Sequence, residues 1–281
     1  MSTNEELKKI VREKYGEIAS QGKSSMKSSC CGSNETTCCE TDEDLKIFSM
    51  DYTNLEGYNP DADLGLGCGL PTEFANIKRG DTVVDLGSGA GNDCFVARQI
   101  SGPEGHIIGV DMTPKMIDKA RENAQKLNLG NVEFRLGEIE NLPVQNEEAD
   151  VVVSNCVLNL VPDKKRALKE TYRILKKGGH FSISDIVTYN AIPDGLRDEA
   201  ALYAGCVSGA LIKEDYLKLI EEAGFINVNV QKETKMQLPD TILEKYLEPT
   251  AIERYKNEFS GIASITVYGE KPRDKTKTNC C

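Results

Sequence analysis

Ten cysteines against only two histidines make sulfur the prominent reactive chemistry of this chain. Three thiols stand in settings that suggest use: Gly67-Cys68-Gly69, Ser154-Asn155-Cys156 and Gly205-Cys206. Cys156 falls where the apolar run Val151-Val152-Val153 of a buried strand should end. A thiolate is a soft ligand, suited to soft metals and metalloids. No Cys-x-x-Cys pair occurs, which removes zinc-ribbon and thioredoxin-type sites. Stable disulfides are a weak reading for a reducing compartment. Cys94 lies on the helix after a glycine loop and reads as core packing, while Cys280 and Cys281 read as a frayed tail. His106 and His180 open apparent strands, far from where this kind of sheet binds ligands, which argues against a histidine-based hydrolase.

The second chemical feature is Asp85-Leu86-Gly87-Ser88-Gly89-Ala90-Gly91, between a strand and a helix. A dinucleotide fingerprint needs Gly-x-Gly-x-x-Gly, and its third glycine would fall at Asn92. Asp85 would also repel a pyrophosphate. The same carboxylate suits an ammonium group, directly or through water. S-adenosylmethionine carries that group and no phosphate. Asp111 ends the second strand, where a carboxylate accepts ribose hydroxyls. Met112 can pack on adenine, and Glu138 and Ile139 follow the third strand to finish that pocket. The expected cofactor set is therefore Asp85, Gly87, Ser88, Gly89, Gly91, Asp111, Met112, Glu138, Ile139 and Asn155.

In this order the motifs over residues 70–187 resemble the class I S-adenosylmethionine-dependent methyltransferases. Three cysteine contexts narrow the likeness: Gly65-Leu66-Gly67-Cys68-Gly69, Ser154 to Lys164 around Cys156, and Tyr203 to Ala210 around Cys206. With these, Leu45 to Gly269 resembles the arsenite methyltransferases. The resemblance implies methyl transfer to trivalent arsenic, with Cys68, Cys156 and Cys206 as its sulfur ligands. Three sulfurs form a pyramid that leaves the arsenic lone pair at its apex. A lone pair carries no proton, so no general base is needed, and catalysis is mostly positioning. The family further implies a disulfide step between Cys68 and an N-terminal cysteine. Cys30, Cys31, Cys38 and Cys39 are the candidates, with Cys38 and Cys39 favoured as nearest in sequence to Cys68. Arsenite or its thiol conjugates would be the substrate, and thioredoxin or glutathione the reductant.

These residues need an α/β frame. Strands are expected at Thr82–Leu86, His106–Val110, Val132–Leu136, Val151–Asn155 and Phe181–Val187, alternating with helices: a parallel Rossmann-like sheet covered on both faces. Thr113-Pro114 opens one helix, and Lys164–Leu175 is another, stopped by Gly178-Gly179. The order of such a sheet reverses between its first and fourth strands, and ligands bind outside their carboxyl ends. That rule sets Cys156 opposite the cofactor. Three regions are expected: a helix capped by Ser2 and Thr3 with a mobile cysteine-rich segment over 1–45, a cofactor domain over 46–187, and a smaller α+β substrate domain over 188–281. The last is expected to hold a helix from Pro193 to about Leu211, a helix at Lys213–Ala223, and strands at Val228–Val230 and Ile262–Tyr268. Hydrophobic content of 39% and charged content of 28% describe a globular chain, and a net charge of -11 disfavours nucleic acid. No apolar run is long enough to span a bilayer. No membrane partner, a cytoplasmic location and a monomer are the default expectations. Two other readings compete: a thiol protein that binds metalloid without turnover, and a methyltransferase for a small organic acceptor. A dinucleotide oxidoreductase is a distant further alternative.

Overall fold

The computed structural model describes residues 4–21, 50–191, 209–238, 240, 243–244, 247–258 and 261–273. Its strands are β1 (Thr82–Leu86), β2 (His106–Asp111), β3 (Val132–Leu136), β4 (Ala149–Asn155), β5 (Leu175–Thr188), β6 (Ile226–Met236) and β7 (Ile262–Glu270). Its principal helices are α1 (Asn4–Gln21), α2 (Pro71–Phe74), α3 (Asn92–Ser101), α4 (Pro114–Lys126), α5 (Lys164–Ile174), α6 (Lys213–Glu222) and α7 (Pro249–Glu258). A short 3-10 turn spans Leu158–Leu160.

All seven strands lie in one sheet, ordered β3-β2-β1-β4-β5-β7-β6. The first five run parallel, and β1 sits between β2 and β4 as the reversal rule requires. β7 runs antiparallel to β5, and β6 antiparallel to β7. The central strands are continuous apolar runs because helices cover both faces. Alternate residues divide between two cores. Val84, Ile108 and Val152 pack with Leu168 of α5 and Ile220 of α6 on one face. Val83, Ile107 and Val151 pack with Phe95 of α3 and Ile117 of α4 on the other.

The five strands and the helices of the α/β repeat fall where the pattern puts them. Two features differ. Gly178 and Gly179 lie inside β5, not at the end of the preceding helix. α5 stops at Ile174 because Leu175 turns extended and pairs with Ala149. The ladder is irregular between Ala149 and Val151, and Gly178 takes the left-handed backbone there with φ 80°. Strand pairing thus overrides the local glycine signal. The second difference lies beyond residue 187: β6 and β7 extend the first sheet rather than beginning another. The expected helix over 193–211 lies mostly outside the described residues, as do Ser2 and Thr3.

Asp185 of β5 is wholly buried and accepts a hydrogen bond from the Tyr216 hydroxyl of α6 at 3.1 Å. Burial pushes its carboxyl up to about 7; Lys164, Tyr216 and the backbone of the 3-10 turn oppose the shift. The fold thus keeps a proton that the unfolded chain gives up near 3.8. Between those values the native state binds more protons, so this group's contribution to stability falls as pH rises. Asp185→Asn removes the dependence. Its melting temperature relative to wild type should be higher at pH 8 than at pH 5; the same difference at both pH values would contradict the assignment.

Candidate active site

The glycine loop hangs from the end of β2: the amides of Gly87 and Ser88 donate to the Val110 carbonyl at 2.8 and 3.0 Å. Gly87, Gly89 and Gly91 have φ values of 70°, 50° and 99°, which explains the alternate glycine spacing. A β-carbon at Gly87 would stand 2.5 Å from a methyl of Val157, the residue after Cys156. The loop is therefore pressed against the end of β4.

Outside these strand ends lies a cleft. Gly87, Ser88, Gly89, Asp111, Met112, Ile139, Asn155 and Cys156 line it, all of them expected site residues. Asp111 is held by backbone: Gly89 N donates to one carboxylate oxygen at 3.0 Å and Thr113 N to the other at 2.8 Å. Burial raises its carboxyl despite these bonds. The Ser88 hydroxyl is buried and has no protein partner.

Four expected residues stand behind the walls. Asp85 is buried under the loop and accepts the Cys94 thiol at 3.2 Å. Burial, then the charge of Asp93, raises Asp85 well above the usual carboxylate range. Gly91 starts α3 and faces Phe134 and Phe95. Glu138 binds Lys8 of α1 at 2.7 Å and Arg12 at 3.5 Å. Cys68 is buried just beyond the cleft, in one apolar cluster with Cys156, Leu160 and Ile186. Cys94 is buried in the core. Cys206, Cys30, Cys31, Cys38, Cys39, Cys280 and Cys281 lie outside the described residues. Among the described residues no group of three or more His, Cys, Asp or Glu forms a metal cluster.

The backbone fixes both described thiols of the candidate set. Cys156 adopts φ 60°, unusual for a residue with a β-carbon, and its amide donates to Ser184 O at 2.7 Å. The Gly67-Cys68-Gly69 turn is wedged against the sheet. A β-carbon at Gly69 would lie 2.3 Å from Ser184 Oγ, and Ser264 Oγ donates to Cys68 O at 2.5 Å. Glycine follows Cys68 because a side chain there would meet Ser184 of β5 and Thr266 of β7, and glycine precedes it because a side chain there would meet Asn155 and Tyr52.

Asp93, Tyr52, Asp63 and Lys8 also line the cleft and are additional to the expected set. Tyr52 is buried, and its hydroxyl donates to Asp93 Oδ2 at 2.9 Å. Burial pushes Asp93 up to about 6 against the hydrogen bonds from Asn155 and Tyr52. Asp93 had a readable signal: it sits in the first turn of the helix that the glycine loop opens. Tyr52 had none, since no periodic element surrounds it. Lys8 is one of several charged residues on the N-terminal helix, and nothing local marks it out.

The match to known proteins agrees with this geometry. A family model described as a methyltransferase domain matches residues 77–224. An arsenite methyltransferase of Halobacterium salinarum is 43% identical over 95% of this chain and 67% of its own length. The chain belongs to the arsenite methyltransferase family. A human arsenite methyltransferase is 40% identical over 57% of this chain and 44% of its own length. That of Aquipseudomonas alcaligenes is 38% identical over 64% of this chain and 54% of its own. The chain thus spans two thirds of the haloarchaeal protein and about half of the other two. The crystal structure of an arsenic(III) S-adenosylmethionine methyltransferase from Chlamydomonas reinhardtii superposes with a TM-score of 0.61 at 33% identity, covering 72% of this chain and 66% of that one.

The family's methyl donor is S-adenosylmethionine, and the cleft suits it. The backbone-held Asp111 offers a polar anchor, and Met112 and Ile139 give apolar walls. Asp63, Asp93, Asp111 and Glu140 outnumber Lys8 among its charged lining, which favours a cationic ligand. Lys8, Val11 and Tyr15 of α1 form one wall. Lys8 bridges Glu138 at 2.7 Å and the buried Glu140 at 3.1 Å. Burial alone would lower its pKa; the two carboxylates win and hold it above its ordinary value. Lys8→Met leaves Glu140 buried without its cation and loosens α1. S-adenosylhomocysteine release, followed by stopped flow, should become several-fold faster; an unchanged rate would show that α1 does not retain the ligand.

Proposed function

We propose that this chain transfers a methyl group from S-adenosylmethionine to trivalent arsenic held by cysteine thiolates. The observation that carries the reading is the pairing of Cys68 and Cys156 in one buried cluster beside the cleft, with Cys156 also on the cleft wall. Cys206 is the third proposed ligand. The bound cofactor supplies an electrophilic methyl on a sulfonium. Arsenic accepts it through its lone pair, which the pyramid of sulfurs leaves exposed. Thiolates match the softness of trivalent arsenic. No proton moves, which fits a cleft that neither His106 nor His180 lines.

Methylation raises the formal state of arsenic by two electrons. In the proposed cycle two thiolates, those of Cys68 and either Cys38 or Cys39, give up those electrons and form a disulfide. Arsenic returns to the trivalent state, and a thiol reductant such as thioredoxin or glutathione reopens the bond. Support for this step is the family likeness alone. The relatives named arsenite methyltransferase support the substrate.

The test is incubation with S-adenosylmethionine, arsenite and a thiol reductant, followed by separation of the arsenic species. Methylated arsenic should form with wild type and be lost with Cys156→Ser and Cys206→Ser. Arsenite binding with no turnover would favour a metalloid-binding protein. Turnover unaffected by both substitutions would refute the thiolate mechanism.

A further inference from the structure

We infer that the side-chain amide of Asn155 couples the cofactor cleft to the Cys68 turn, so that occupancy of one site strengthens binding at the other. The inference rests on the arsenic-binding reading above and makes Asn155 a positioning residue.

Asn155 ends β4, immediately before Cys156, and its amide is bonded in two directions. Oδ1 accepts from the Cys68 amide at 3.0 Å and from the Gly69 amide at 3.1 Å. Nδ2 donates toward Gly69 O at 2.9 Å, Asp93 Oδ2 at 3.2 Å and the Tyr52 hydroxyl. An amide nitrogen has only two hydrogens for these three acceptors. The Tyr52 hydroxyl faces the same shortage. Its single hydrogen is within reach of Gly69 O at 3.1 Å and both oxygens of Asp93 at 3.1 and 2.9 Å. Asp93 and the Gly69 carbonyl therefore compete for a limited set of hydrogens.

Asp93 is on the cleft side of this competition and Gly69 on the thiol side. A cationic ligand in the cleft satisfies Asp93 directly. The hydrogens of Asn155 and Tyr52 then turn to Gly69 O and tighten the turn that carries Cys68. The turn has no slack to absorb the change: a β-carbon at Gly67 would lie 2.6 Å from Asn155 Nδ2. The sign is positive, and linkage makes it reciprocal.

Calorimetry on the full chain tests this. Arsenite is titrated under reducing conditions with and without saturating sinefungin, a charged cofactor analogue that cannot give up a methyl group. Wild type should bind arsenite at least about fivefold more tightly with the analogue. The ratio should fall to near one in Asn155→Ala and to an intermediate value in Tyr52→Phe, which removes only one hydroxyl. A wild-type ratio of one, or full coupling retained in both variants, overturns the inference while leaving the arsenic-binding reading intact. Loss of binding in Asn155→Ala together with full coupling in Tyr52→Phe also overturns it. A wild-type protein that binds no arsenite under either condition overturns both.

Discussion

The contact between Gly87 and Val157 sets the dimensions of the site. Gly87 belongs to the loop after β1, and Val157 follows Cys156, just beyond the end of β4. The strands are hydrogen-bonded neighbours, so their ends are adjacent by topology. The missing side chain at Gly87 lets them close to van der Waals contact. A loop suited to an adenosyl donor and a thiol suited to a soft acceptor are thereby held together by the sheet itself. Helices on both faces and two separate cores keep that spacing rigid.

Burial does different work on the two sides of this contact. On the donor side it raises Asp85, Asp93 and Asp111 above the usual carboxylate range. A cation entering the cleft would favour their ionised forms. On the acceptor side the surroundings are apolar: Leu160, Ile186, Leu238 and Ile262 pack around Cys68 and Cys156. Phenols stand beside both regions, Tyr52 by Asp93 and Tyr216 by Asp185. Burial raises both phenols well above their ordinary range, leaving them as neutral donors.

Much of this was legible in the chain because its signals are local. The alternate glycines, the strand-end Asp111 and the Thr113-Pro114 helix start all report backbone geometry within a few residues. Strand order followed from a general rule, and it put Cys156 beside the glycine loop. What was not legible depends on distant pairing. Gly178-Gly179 looks like a helix stop, yet the ladder with β4 makes it part of β5. Glu138 looks like a ligand of the adenosyl group, yet α1 supplies Lys8 and Arg12 from more than a hundred residues away. Tyr52 and the bonding of Asn155 to Cys68 likewise come from segments far apart in the chain.

The central claim is that cysteine sulfurs alone hold the arsenic. X-ray absorption at the arsenic edge, on the reduced protein loaded with one equivalent of arsenite, counts the ligands directly. With a thiol-free phosphine as reductant, the account predicts a first shell of three sulfurs in wild type, with one replaced by oxygen in Cys156→Ser and likewise in Cys68→Ser. An oxygen-only shell in wild type, or a first shell unchanged by either substitution, would contradict it.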